Sequence, residues 1–371
     1  MIIRTLKLTQ YRNYSQMAID FDPFINALTG MNGVGKTNVL DAIYHICLGK
    51  SYFTNLDKHL FLQDHDFFRL DADFIIKEQQ EKVVIKSKAG SRKEVEISGK
   101  KLAKVSDHVG RFLSVIIAPD DVKLLMEGSE ERRNFLNNTI VQTDKTYLED
   151  LILYNALLKR RNTLLKTFAD QKRTDDLLLE SITMGMYAPS QRIFEKRKQV
   201  TEQLKPLFNE IYADISGQRE ACNIVYESQL EHENLQALMQ KSKHKDIILA
   251  RTTKGIHKDD LIFTMNGSPL GSFASQGQLK SFVMALKLTQ YRLLQNHAKE
   301  NPILLLDDIF DKLDAERVRQ LLSLLIHQNF GQIFITDTQS DRIHKILDEI
   351  GNQYRLFHVE NGSLNLFHAA Q

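Results

Sequence analysis

The chain has little of what marks a secreted or membrane protein. Two cysteines, Cys47 and Cys222, stand among 371 residues, too few for a disulfide framework. No stretch approaches the roughly 18 consecutive apolar residues of a membrane span. The first residues, MIIRTLKLTQYRNY, alternate like a strand and lack the apolar centre of about 7–15 residues that defines a signal peptide. There is no tryptophan, and there are only 6 prolines. Charge of one sign is also missing: the formal net charge is +2, so any nucleic-acid binding would need a local patch. These absences point to a reduced, cytoplasmic protein without a membrane role. The length predicts two lobes around separate cores.

What is present changes character along the chain. Residues 1–120 read as strands (IIRTLKL, MAIDF, NALTG, DADFIIK, EKVVIKSK, KEVEISG, SVIIAP) broken by one helix, TNVLDAIYHICLG. AGSR makes a hairpin between two of them. No proline occurs between Pro119 and Pro189, and the apolar spacing there is close to 3.6. That predicts a helical lobe over 121–245. Strand and helix then alternate through LIFTMNG, PILLLDD, ERVRQLLSLLIHQ, QIFITD, QYRLFHV and SLNLFHA, which predicts an α/β core. The expected organisation is a discontinuous core, 1–120 with 246–371, and a helical insertion, 121–245. One heptapeptide, LKLTQYR, occurs at 6–12 and again at 286–292. The first copy is expected to be a strand and the second a helix, with tertiary context overriding identical local sequence.

The strongest chemical signal is GMNGVGKT, residues 30–37. It fits G-x-x-x-x-G-K-[ST] between a strand and a helix, the context that makes the pattern specific. Gly30, Gly33 and Gly35 let the backbone turn tightly, so that N–H groups along Gly30, Met31, Asn32, Gly33, Val34 and Gly35 can face phosphate oxygens. The helix that follows adds its positive N-terminal end. Lys36 would reach the β- and γ-phosphates of ATP, and Thr37 would offer its hydroxyl to Mg²⁺.

A second signal is PILLLDDIFDKLD, residues 302–314. Ile303 to Leu306 suit a strand buried on both faces. In P-loop enzymes an acid after such a strand, here Asp307, holds Mg²⁺ through water, and a neighbour such as Asp308 can orient or deprotonate the attacking water. By itself, an apolar strand ending in acids is more often structural; the P-loop gives this one its meaning. The turn Asp311–Asp314 is ordinary capping chemistry except for its place directly after the acids.

The order P-loop, long insertion, Ser-Gln-Gly-Gln turn at 275–278, acidic strand and Leu-Asp turn resembles the SMC-like branch of the ABC-type ATPases. QYRNY at 10–14, GKTNVLDAIY at 35–44, GKSYF at 49–53, APDDVKLLMEGSEERRNFLN at 118–137, GIHKDDL at 255–261, SQGQLK at 275–280 and LLLDDIFDKLD at 304–314 narrow the resemblance to the RecF family of recombination-repair proteins. It covers nearly the whole chain.

The resemblance implies an α/β, ABC-type P-loop ATPase core with a β-rich lobe and an inserted helical lobe. It implies that Arg12 and Asn13 touch the nucleotide, that Asp307 holds Mg²⁺, and that Asp308 and Lys36 serve hydrolysis. Ser275, Gly277 and Gln278 would bind the γ-phosphate held by another subunit, giving an ATP-dependent homodimer. It further implies DNA binding in repair, replication and the SOS response, with RecO and RecR as partners in loading RecA. Ile256 and Lys258 replace the family's proline and arginine around His257. Asp308 replaces a glutamate common in ABC-type ATPases, and Asp337 stands where many relatives place a histidine. The last two departures favour a slow switch over a motor.

For DNA, residues 82–104 carry a local +6: Lys82, Lys86, Lys88, Arg92, Lys93, Lys100, Lys101 and Lys104 against Glu94 and Glu96. Such runs are usually solvated faces; a basic hairpin also suits phosphate contacts. No recognition motif appears, so salt-sensitive binding to double-stranded DNA or to single-strand/double-strand junctions is expected without sequence readout. Competing readings are an ABC transporter's ATPase subunit, a chromosome-organising SMC protein and a scaffold that binds nucleotide without hydrolysis. The first leaves the helical insertion and basic hairpin unexplained, and the second needs long sustained heptads that the insertion lacks.

Overall fold

The computed structural model describes residues 1–171, 174–217, 220–298, 300–310, 319, 321–322, 325–326, 328, 330–351, 353–360 and 362–369. Asp311–Asp314, and with them the Leu-Asp turn, lie outside the described residues. The chain forms two compact units, Met1–Asp121 with Gln290–Gln371, and Val122–Thr289.

The first unit contains two six-stranded sheets. One is antiparallel: β2 (Tyr14–Asp20), β1 (Ile2–Tyr11), β4 (Phe67–Ile76), β5 (Gln79–Lys88), β6 (Glu94–Ile97) and β7 (Lys100–Lys101), in that spatial order. The other runs β15 (Ser363–Ala369), β14 (Tyr354–Glu360), β3 (Ile25–Thr29), β13 (Ile333–Asp337), β12 (Ile303–Leu306) and β8 (Ser114–Ile117). It is parallel from β14 to β8, with β15 antiparallel at its edge. β3, β13, β12 and β8 are buried along their whole length. That explains their unbroken apolar sequences, since helix-covered parallel sheets bury both faces.

The helix Lys36–Leu48 buries Val39, Leu40, Ile43, Ile46 and Cys47 in the core that joins both sheets. It stops at Gly49, whose left-handed φ of 72° turns its N–H onto the His45 carbonyl. A second helix, Ser340–Ile350, follows β13. The sequence reading passed over it, although Ile343, Ile346 and Leu347 mark its buried face.

The second unit is built on the helices Lys145–Gln171 and Asp176–Ser216, which pack along each other. The longer one has 41 residues and runs through Pro189 and Pro206, each removing one helix hydrogen bond. This unit is not purely helical. β9 (Cys222–Glu227), inside the stretch expected to be helix, pairs with β10 (Asp260–Met265), and β11 (Ser268–Pro269) completes a small sheet. This antiparallel pairing joins residues on both sides of position 245, and the unit continues to Thr289.

Two buried arginines hold it together. Arg197 donates to Asp259 at 2.7 Å, to the Tyr147 hydroxyl at 3.0 Å and to the Ile256 carbonyl at 2.8 Å. Arg161 pairs with Asp246 at 2.8 Å. The GIHKDDL segment is therefore a buckle. His257 meets the Tyr154 hydroxyl at 2.8 Å, and burial pushes its pKa down to about 4, which keeps it neutral.

The repeated heptapeptide adopts both predicted forms. In β1, Leu6, Leu8 and Tyr11 are buried while Lys7 is exposed. In the helix Gln276–Ala298, Leu286 through Tyr291 are buried without a break.

Candidate nucleotide site

The parallel sheet gathers its chemistry at the carboxyl ends of three adjacent strands, where open α/β sheets bind ligands. β3 leads into Gly30, β12 into Asp307 and Asp308, and β13 ends on Asp337. Gly30 has φ +150°, and a Cβ there would lie 2.5 Å from the Val359 carbonyl oxygen. Gly35 caps the helix at φ 114°. Its carbonyl accepts from the Tyr14 hydroxyl at 3.1 Å. Lys36 is folded back into the loop, donating to the Gly30 and Met31 carbonyls at 2.8 and 2.9 Å. Burial lowers its pKa, against the opposing pull of Asp308, Asp307 and Asp337.

Thr37 and the acids form one network. The Thr37 hydroxyl lies 2.9 and 3.0 Å from the two Asp307 oxygens. Thr336 donates to Asp307 at 2.9 Å and accepts from the Asp308 N–H at 2.8 Å. Asp307 is buried, and desolvation raises its pKa more than the two threonines lower it. A buried carboxylate beside a hydroxyl is a hard oxygen donor set, short of positive charge, which fits Mg²⁺. Asp308 holds a left-handed φ of 49°. For a non-glycine residue this is uncommon and tends to mark functional backbone. Asp337 is occupied by Arg342 at 2.5 Å and by the Gln339 N–H at 2.8 Å.

Asn13 reaches this loop, and Arg12 reaches the helix that follows it. Asn13 donates to the Val34 carbonyl at 2.9 Å and accepts from Asn38 at 2.7 Å. Arg12, at φ 56°, donates to the His59 carbonyl and to Asp41. Asp41 is a hub that the sequence reading missed: a buried acid on the apolar helix, it also accepts from Tyr11, Ser51 and the Tyr52 N–H. It thus pulls the QYRNY and GKSYF segments onto the P-loop helix. Its signal was a carboxylate standing among Leu40, Ala42 and Ile43. Thr336 and Arg342 were equally unassigned, because Thr336 meets an acid that follows another strand and Arg342 lies in the unrecognised helix.

In the second unit the Ser-Gln-Gly-Gln turn starts the helix Gln276–Ala298. Ser275 and Gln278 cap it reciprocally: the Ser275 N–H donates to Gln278 Oε1 at 2.8 Å, and the Gln278 N–H to Ser275 Oγ at 3.3 Å. Gly277 is exposed, has no positive φ, and a Cβ there would meet nothing within 4 Å. The fold itself does not require glycine at this position.

The basic hairpin is less free than its sequence suggests. Lys86 pairs with Glu96, Lys101 with Glu94, and Lys88 reaches Asp66 at 4.0 Å. Such exposed pairs contribute little in water and can be exchanged for phosphate. Lys93 differs: its ammonium is turned inward onto Asp57 at 2.9 Å and the Gly49 carbonyl at 3.1 Å. Arg92 and Lys100 are exposed.

Comparison with known proteins agrees with this geometry. The family model for the RecF/RecN/SMC N terminal domain matches residues 2–365. A DNA replication and repair protein RecF from Flavobacterium johnsoniae is 42% identical, covering 97% of this chain and 100% of its own. Among solved structures, the recombination mediator protein RecF-ATP in the RecFOR pathway aligns with a TM-score of 0.89 and 28% identity over 99% of this chain and 97% of that one. The corresponding RecF-ATPrS structure gives a TM-score of 0.89 at 26% identity, over 99% of this chain and 98% of that one.

Proposed function

The chain belongs to the RecF family of DNA replication and repair proteins, and from that premise we propose that it is an ATP-dependent DNA-binding clamp. The observation that carries the proposal is the Thr37–Asp307 contact, which joins the P-loop to the acidic strand across 270 residues of sequence. Lys36 leaves the Gly30 and Met31 carbonyls to bind the β- and γ-phosphates of ATP. Thr37 and Asp307 hold Mg²⁺, which when bound neutralises phosphate charge. Asp308 orients the attacking water.

The second half of the site comes from another copy. Ser275, Gly277 and Gln278 form a helix start with open space over the glycine, suited to a γ-phosphate held by the partner's Lys36. ATP thus joins two copies, brings two basic surfaces onto one DNA and adds avidity. Hydrolysis releases the DNA. It is slow, because Asp308 is one methylene shorter than glutamate and Asp337 is committed to Arg342. Gapped or junction DNA is the target, with RecR and RecO as partners in RecA loading.

Sedimentation velocity without nucleotide, with ADP and with ATP tests this on wild type and Ser275→Arg. Wild type should dimerise with ATP alone, and the variant should stay monomeric. Equal dimerisation of both by ATP would overturn the role of the turn.

A further inference from the structure

We propose that His344, Asp348 and His368 form a binding site for a transition-metal dication such as zinc, separate from the nucleotide site. One ligand atom from each of the three residues lies within 4.8 Å of the others. His344 and Asp348 are one turn apart on the helix Ser340–Ile350, so both side chains stand on the same face. His344 Nδ1 and Asp348 Oδ2 are 3.6 Å apart. His368 comes from β15, and its ring centre is 4.7 Å from that of His344.

Two imidazoles and a carboxylate are the donor set that zinc and its neighbours take, whereas Mg²⁺ and Ca²⁺ prefer oxygen alone. Tyr354 supplies the outer support such sites use: its hydroxyl donates to Asp348 Oδ1 at 2.5 Å and also meets His344 Nδ1 at 2.6 Å. Metal would enter by taking Nδ1 of His344 in its Nε2–H form, leaving Tyr354 to hold the carboxylate. Three protein ligands leave a fourth position for water. The half-buried histidines and exposed Asp348 give a path from solvent. Occupation ties the helix Ser340–Ile350 to β15.

The test uses the full chain, stripped with chelator and then titrated with zinc against a chromophoric indicator, in excess Mg²⁺ to cover Thr37 and Asp307. Wild type should take up one zinc per chain. His344→Ala and His368→Ala should each weaken binding by more than about 100-fold, and Tyr354→Phe by about 10-fold. Cobalt should give wild type the intense visible absorption of a four-coordinate site, lost in both histidine variants; this reads ligation directly even if a variant is less stable. No uptake by wild type at micromolar zinc, or unchanged affinity in both variants, would overturn the proposal.

Discussion

The Thr37 hydroxyl donates to both oxygens of Asp307, at 2.9 and 3.0 Å, although 270 residues separate them. This contact and the Thr336 hydroxyl surround a buried carboxylate, with Asp308 and Lys36 as the nearby charges. Desolvation raises its pKa, so the charged form is disfavoured in the fold. For a raised acid, the stabilising contribution is present below the unfolded pKa and is lost as pH rises through the folded one.

Asp307→Asn should therefore stabilise the nucleotide-free protein at pH 7 while abolishing hydrolysis. The advantage should shrink as pH falls and the wild-type carboxyl takes up its proton. Chemical denaturation at several pH values measures this. A variant less stable than wild type at neutral pH would show that the buried charge is better compensated than its neighbours indicate.

Gly277→Ala separates the fold from its use. No backbone strain or crowding requires glycine there, and alanine is the better helix former by about 0.5–1 kcal/mol. The variant should melt at or above the wild-type temperature, yet form ATP-dependent dimers poorly because its methyl fills the approach. Unimpaired dimerisation would remove Gly277 from the proposed interface.

The hairpin lysines should divide by direction. Arg92→Ala and Lys100→Ala should each lower the slope of log affinity for duplex DNA against log salt by about 0.9. Lys93→Ala should leave that slope unchanged and reduce stability, since its ammonium faces Asp57 and the Gly49 carbonyl. Filter binding over a salt series, with melting curves, distinguishes them.

Arg197→Met should destabilise the second unit by about 3–5 kcal/mol, because it strands Asp259 in the interior. Adding Asp259→Asn should recover part of the loss. Denaturant midpoints for the single and double variants give the coupling directly.

These residues also show where sequence was enough. The P-loop, its helix and the strand before Asp307 were legible because their backbone and burial demands leave few alternatives: glycines at turns, 3.6 spacing, four apolar residues in a row. β9 was not, because CNIVYE becomes a strand only by pairing with β10, more than thirty residues later in sequence. Charge was legible as composition but not as pairing. The hairpin's +6 gave no sign that Lys93 turns inward or that Asp57 and Asp66 approach from other segments. Arg12 and Asn13 were expected to touch the nucleotide; the bonds they make within the fold depend on Asp41 and Val34, whose positions spacing does not reveal.

LKLTQYR, strand at one site and helix at the other, is a homonym within a single chain. Its seven letters carry no instruction of their own about shape. What distinguishes the copies is the company each keeps: β2 and β4 offer the first a ladder of hydrogen bonds, while the second lies inside a helix of 23 residues that buries its polar letters along with its apolar ones. A lysine that is solvated at position 7 is enclosed at position 287. The same substitution made in both copies would thus meet two different selective pressures, and tolerance learned at one would not transfer to the other.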